Sequence, residues 1–186
     1  MVPYNPSSGT IFSSSYPTVN IICTGGKIMT DKLYVTWEDV KQNVDVLAND
    51  IRKDRQSFNR YQMEFIPFNL IVGISRGGVI PGVMLSHALD IPFIPLEWQT
   101  RDGRHKDIRK LEELLAIRNE DQNQSSDILF VDDICDSGET ITSIREYAPT
   151  GKWAVLHSKK GTMELDYEGE RLYNNTQWLV YPWEKK

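Results

Sequence analysis

Cysteine is scarce: Cys23 and Cys135 are the only two in 186 residues. They stand far apart, which excludes a disulfide framework and fits a reducing cytoplasm. Histidine offers little more. His87, His105 and His157 sit at unrelated spacings, and none belongs to a zinc-ligand pattern. No apolar run approaches the ~20 residues of a membrane span. The chain does not open with a basic region followed by an apolar stretch, so a secretory signal is not expected. Positive charge is in deficit. A net charge of −5 argues against a nucleic-acid scaffold. Two nucleotide-binding fingerprints are missing as well. There is no G-x-G-x-x-G and no G-x-x-x-x-G-K-[ST]; Thr24–Lys27 lacks the preceding Gly and the following Ser or Thr, and Thr150–Trp153 fails in the same way.

What remains is ordinary in composition, with 40% hydrophobic and 25% charged residues, enough for a soluble α/β domain with its own core. Residues 1–28 read differently. They are rich in Ser, Thr, Gly, Pro and Asn and hold a single charge, Lys27, which predicts a loosely ordered extension before one domain over 29–186. An edge strand at Val19–Cys23 is the competing reading.

Thr36 is placed to cap a helix whose stripe is Trp37, Val40, Val44, Leu47, Ala48 and Ile51. A polar connector is expected over 52–68. Asn69–Ile74 reads as a buried strand, "SRGG" as a turn, and Val79–Leu89 as a helix with Pro81 in its first turn. "IPFIPL" is a strand after it. This βαβ unit implies a parallel sheet covered by helices. Gln99–Arg109 is polar and charge-rich, a loop by pattern, and Ile108–Ile117 fits a helix or a strand edge equally. Ile128–Val131 is the next buried strand, Thr140–Tyr147 a helix, and "WAVLHS" a further strand. The aromatic tail "TQWLVYPW" is expected to cap one end of the sheet.

Chemistry concentrates in "ILFVDDICDSGET". Ligands of open parallel sheets bind beyond the carboxyl ends of the strands, and Asp132 and Asp133 fall there. Adjacent acids at a buried edge repel each other, so packing alone does not account for them. Carboxylates in that position bind hydroxyls or a hydrated Mg²⁺. "DSGET", Asp136–Thr140, then leads into a helix. Successive backbone N–H groups there form an anion nest, with Ser137 and Thr140 as extra donors and Gly138 allowing close approach. Acids for hydroxyls beside a nest for phosphate describe a sugar-phosphate site. "SRGG", Ser75–Gly78, supplies backbone N–H groups and a guanidinium suited to pyrophosphate. A receiver domain is disfavoured, because only the last third of the chain follows Asp133.

These residues carry a resemblance. The twelve-residue "LFVDDICDSGET" closely resembles the phosphoribosyl pyrophosphate (PRPP) signature of type I phosphoribosyltransferases: four apolar residues, two acids, two residues, then D-[ST]-G-x-T. "IVGISRGGVIPGVMLSHALDIP" resembles the first βα loop of the xanthine-guanine (hypoxanthine) branch. "TQWLVYPWE" resembles that branch's base-binding tail, and "YVTWEDV" fits its opening. The likeness spans roughly 33–184. It implies a type I phosphoribosyltransferase fold, with a mostly parallel central sheet flanked by helices and a small base-binding hood built partly from the C-terminal segment.

Roles follow from the resemblance alone. Asp132 and Asp133 are expected at the ribose hydroxyls and Mg²⁺, and Asp136, Ser137, Gly138, Glu139 and Thr140 at the 5′-phosphate. Asp136 also matches an acid that relatives place near N7 of the purine as a proposed general acid or base. Ser75, Arg76, Gly77 and Gly78 match the pyrophosphate loop, which in relatives often holds a non-proline cis peptide. Arg104 and Arg109 are candidates for the same anion from a closing loop that also holds Arg101 and Lys106. Lys159, Trp178 and Leu179 match the base site: an ammonium on the 6-oxo group, a stacking ring and a backbone edge contact. Glu139 and Cys135 occupy variable slots, Glu139 pointing outwards and Cys135 as a small filler. "HSKKGT" departs from the usual Lys-Pro. The implied activity is purine salvage from PRPP and a 6-oxopurine, in a cytoplasmic homo-oligomer (dimer or tetramer) with no nucleic-acid partner. A PRPP- or nucleotide-sensing regulator, or a phosphoribosyltransferase for another base, are the competing expectations.

Overall fold

Thr36 caps the first helix through a reciprocal pair of bonds. In the computed structural model, which describes residues 32–59, 68–100, 105–119, 128–159, 163, 165–173 and 176–184, the Asp39 N–H donates to Thr36 Oγ1 at 3.1 Å. The Thr36 N–H donates back to Asp39 Oδ2 at 2.8 Å. This capping box satisfies two donors that the helix start would leave bare. The helix, α1 (Trp37–Asn59), follows a three-residue strand, β1 (Lys32–Tyr34). Its stripe of Val40, Val44, Leu47, Ala48 and Ile51 is buried, as the spacing predicts, but Trp37, counted as the first residue of that stripe, is 56% exposed at the start of the helix, before the first turn reaches the sheet. The helix also runs through the first half of the expected connector. Residues 52–59 contain no Gly or Pro to stop it, and Lys, Arg and Gln propagate a helix well. Residues 60–67 of that connector, residues 1–31 and the Val19–Cys23 strand reading lie outside the described residues; Phe68, the connector's last residue, is buried in the core.

Five strands form the main sheet: β2 (Leu70–Ser75), β3 (Phe93–Glu97), β4 (Ile128–Cys135), β5 (Lys152–Ser158) and β6 (Tyr167–Arg171), in the order β3-β2-β4-β5-β6. Every pairing is parallel. The connections contain α2 (Val79–Leu89), α3 (Ile108–Asn119) and α4 (Glu139–Arg145). Alternation along the central strands sends side chains to two cores. Ile71, Leu129, Val131, Ala154 and Leu156 meet α1 and α2 on one face. Leu70, Val72, Ile128, Phe130, Trp153 and Val155 meet Leu111 and Leu114 of α3 and Ile141 and Ile144 of α4 on the other. Burial on both faces is why these strands read as near-continuous apolar runs. Ile108–Ile117 thus resolves as helix. The tail's β7 (Trp178–Val180) pairs in parallel with β1 as a separate two-stranded sheet, and Tyr181 just after it donates to the Asp133 carbonyl, so the tail covers that end of the main sheet as expected. β1 is too short to show a period, and β6, "YEGER", is too polar at the sheet edge.

The acid strand is longer than its apolar run. β2 pairs with β4 only as far as Gly73↔Val131, whereas β5 continues beside it through Asp132↔Val155 and Ile134↔His157 to Cys135↔Ser158. The two acids are therefore inside a strand that overhangs its neighbour. The chain turns to β3 on one side of this point and to β5 on the other, which makes it the topological switch of the sheet. Thr36→Ala should lower stability by about 1 kcal/mol through loss of the cap, read from the urea unfolding midpoint at constant m-value.

Candidate active site

At the switch lies a cleft of about 710 Å³. Its floor is the end of β4 and the loop that follows. Arg76 and Gly77 stand on one wall, Lys159 on another, and Trp178, Leu179 and Tyr181 form the hood. The "SRGG" loop touches the acids directly. A Cβ on Gly77 would overlap the Asp133 carboxylate, and one on Gly78 would overlap the Val131 carbonyl. Only glycine lets the loop approach β4 so closely. The Ser75–Arg76 peptide is cis, as in many of the enzymes the loop resembles. Ser75 ends β2 and Gly78 precedes α2; neither lines the cleft itself.

Asp132 and Asp133 are half-buried, and the Asp133 N–H donates to Asp132 Oδ1 at 2.9 Å. Burial pushes the Asp132 carboxyl well above its ordinary range, with the charge of Asp133 adding to it. Burial likewise raises Asp133 to about 6. Dehydrated acids of this kind favour a compensating cation or hydroxyl donors. Beyond them Gly138 takes a left-handed conformation (φ 79°), the turn that starts α4. Ser137 and Glu139 are exposed, and both line the cleft. Asp136 Oδ1 lies 3.6 Å from Lys159 Nζ, and the Lys159 side chain is only 10% exposed, sunk into the wall. The carboxylate of Asp136 thus stands toward the Lys159 wall of the cleft. Trp178 is 50% exposed and is not a core ring. Burial raises the Cys135 thiol to about 11, which makes it an inert filler.

The candidate arginines divide differently. Arg109 Nε pairs with Glu113 Oε1 at 2.8 Å on the surface of α3 and does not line the cleft. Arg101 and Arg104 lie outside the described residues. The stem of that loop is ordered as a ladder: Trp98 bridges Lys106 in antiparallel fashion, and the Gln99 N–H donates to the His105 carbonyl at 2.7 Å. The Trp98 indole N–H donates to Ser143 Oγ at 2.7 Å, holding the stem against α4. Trp98, Gln99 and Thr100 line the cleft, as do Trp183 and Glu184, and none was singled out from sequence. Trp183 and Glu184 belong to the aromatic tail, whose composition signals a covering segment without assigning each residue a place.

Behind the hood runs a buried polar chain. Asn43 Nδ2 is 3.1 Å from His157 Nε2, His157 Nδ1 is 2.9 Å from Tyr181 Oη, and the Tyr181 hydroxyl donates to the Asp133 carbonyl at 2.8 Å. Burial lowers His157 to about 4, against a smaller opposing pull from Asp39. Glu170 Oε2 lies 3.5 Å from Nε2, a distance that would suit an ion pair. Burial decides the matter: a 3% exposed ring at neutral pH is uncharged, so that contact is not an ion pair. A lone histidine inside the apolar "WAVLHS" was the sequence signal. Because the folded pKa lies below the ordinary 6.5, the unfolded chain takes up the proton first. Stability from this group is complete above pH 6.5 and falls as pH drops toward 4, by about 3 kcal/mol in all. The raised carboxyls of Asp132 and Asp133 slope the opposite way over the same window, so the His157 share should be read as a gap in urea midpoint between the wild type and His157→Gln that changes as pH drops from 6.5 toward 4.

No protein-family model matches the chain. Among solved structures, purine phosphoribosyltransferase from Pyrococcus horikoshii superposes with a TM-score of 0.59 at 26% identity, covering 84% of this chain and 96% of that one. Helicobacter pylori xanthine-guanine-hypoxanthine phosphoribosyltransferase gives 0.52 at 16% identity, over 82% and 93%. The fold is the type I phosphoribosyltransferase fold. In sequence, the chain is similar to the xanthine-guanine phosphoribosyltransferase of Nitratidesulfovibrio vulgaris, 23% identical over 158 residues, 82% of this chain and 84% of that protein.

Proposed function

We propose that this protein is a purine phosphoribosyltransferase, which transfers the 5-phosphoribosyl group of PRPP to N9 of a 6-oxopurine. One observation carries the reading: a single cleft at the sheet's switch point gathers Arg76 and Gly77, the acid pair, the Asp136–Thr140 loop, Lys159 and Trp178. The names of the relatives support the purine class.

In this reading the purine stacks on Trp178 with its edge at Leu179. The Lys159 ammonium donates to the 6-oxo group; it has no acceptor for a 6-amino group. Backbone N–H groups of 137–140 hold the 5′-phosphate, and the Ser75–Gly78 loop holds the pyrophosphate. Asp132 and Asp133 accept from the ribose hydroxyls. N9 forms its bond to C1′ as the C1′–O bond breaks, and that electron pair leaves with pyrophosphate. The N7 proton passes to Asp136, whose carboxylate Lys159 holds nearby. The chain's part is mostly orientation and charge placement.

Mg²⁺ suits the hard, dehydrated oxygens of Asp132 and Asp133. No group of three or more ligating side chains occurs among the described residues, so the remaining oxygens would come from substrate and water. When bound, the ion would neutralise charge on the departing pyrophosphate. No helix among the described residues is long and apolar enough to cross a membrane; the proposed setting is cytoplasmic.

Incubation with PRPP, Mg²⁺ and guanine, xanthine or hypoxanthine should yield the nucleoside 5′-monophosphate and pyrophosphate, separable by chromatography. Absence of nucleotide from all three bases would overturn the assignment, and PRPP binding without turnover would favour a sensor. Asp136→Asn should keep the PRPP dissociation constant and lower kcat by about 100-fold or more. Equal loss of binding and turnover would reduce Asp136 to a member of the phosphate cradle.

A further inference from the structure

The bonds behind the hood admit a single arrangement of protons. The Asp133 carbonyl is only an acceptor, so Tyr181 must donate to it across 2.8 Å. With its one proton spent, the Tyr181 oxygen accepts from His157, which puts the imidazole proton on Nδ1. Nε2 is then a bare lone pair, and Asn43 must present its amide N–H there. Nothing in the chain is left to rotate freely. Asn43 is on α1, His157 on β5, and Tyr181 directly follows β7, so three elements are fastened to the overhanging end of β4 through one hydroxyl. The charged groups around the ring are Asp39 on α1 and Glu170 on β6.

We propose that Tyr181 is a positioning residue for the purine: its hydroxyl pins the 178–184 segment to the backbone of Asp133, and Asn43 and His157 fix the direction in which that hydroxyl donates. This rests on the activity proposed above. The base side is the side affected because the acids have other restraints. The Asp133 carboxylate is lodged against Gly77, and its N–H is tied to Asp132. The hood has fewer. β7 is three residues long and pairs only with β1. Tyr181 stacks on Trp183 at 4.8 Å, and Trp183 leans on Trp37 at 5.8 Å, contacts that allow sliding. The hydroxyl is what sets the distance between the stacking ring of Trp178 and the ribose acids.

Tyr181→Phe removes that one oxygen and keeps the stacked ring. Steady-state kinetics should show the KM for the purine rising about ten-fold, the worth of one buried hydrogen bond, with the KM for PRPP within about two-fold. The double variant His157→Gln/Tyr181→Phe should have the same base KM as Tyr181→Phe, since the imidazole acts through the hydroxyl. Long-range ¹H–¹⁵N spectra of the wild type, which need no turnover, should show His157 as the neutral Nδ1–H tautomer. An unchanged base KM, an equal rise in both KM values, or the Nε2–H tautomer would overturn the positioning role. A wild type that forms no nucleotide defeats the proposed activity itself. An active wild type with an unaltered base KM in Tyr181→Phe defeats only this inference.

Discussion

The unequal pairing of β4 is the constraint on which the rest depends. Its partner on one side stops at Val131 and its partner on the other continues to Cys135. A strand held on one edge only keeps its extended form while leaving room above the shorter neighbour. The "SRGG" loop fills part of that room and needs two glycines to do so. What is left is the cleft. Strand length mismatch thus places the glycine loop and the acid pair within one side chain of each other, without a dedicated domain to bring them together.

Two apolar cores hold the sheet between its helices, and they explain its stability without explaining its site. The polar chain from Asn43 to Asp133 is of another kind. Buried polar groups are costly unless every one is satisfied. Here each of the three side chains finds a partner on a different element, so the arrangement tolerates little displacement of the hood relative to β4. A looser hydrophobic contact at that place would hold the hood equally close but not at a defined height.

The sequence was most legible where one local pattern determined one local outcome. The α1 stripe, the βαβ unit and "VDDICDSGET" each combine a period or a fixed spacing with a stereochemical demand, and each appears where those demands put it, save that Trp37 at the head of the stripe is exposed. Legibility failed where distance in sequence mattered. The length of β4 depends on how far β5 runs, the end of α1 on the absence of a stop signal, and β1 on a partner near the other end of the described chain. The site divides in the same way. Asp132, Asp133 and Asp136 were readable from spacing, and Lys159 and Trp178 from resemblance. Tyr181 and His157 matter through bonds to residues more than twenty positions away, which no window of sequence displays. Arg109 looked like a ligand because it is a cation in a charged stretch; its fork is turned along the helix to Glu113.

The pairing of β1 with β7 has a consequence for how the molecule is made. These are the first and last strands described, and their union closes nearly the whole described chain into one loop. Such long-range closure carries an entropic cost that local contacts do not. During synthesis the sheet through β5 can assemble with its acids and glycine loop in place. The platform over them cannot exist until residue 180 has left the ribosome. A nascent chain would therefore possess the floor of the cleft before it possesses any hood, and the two halves of the site would come into being in that order.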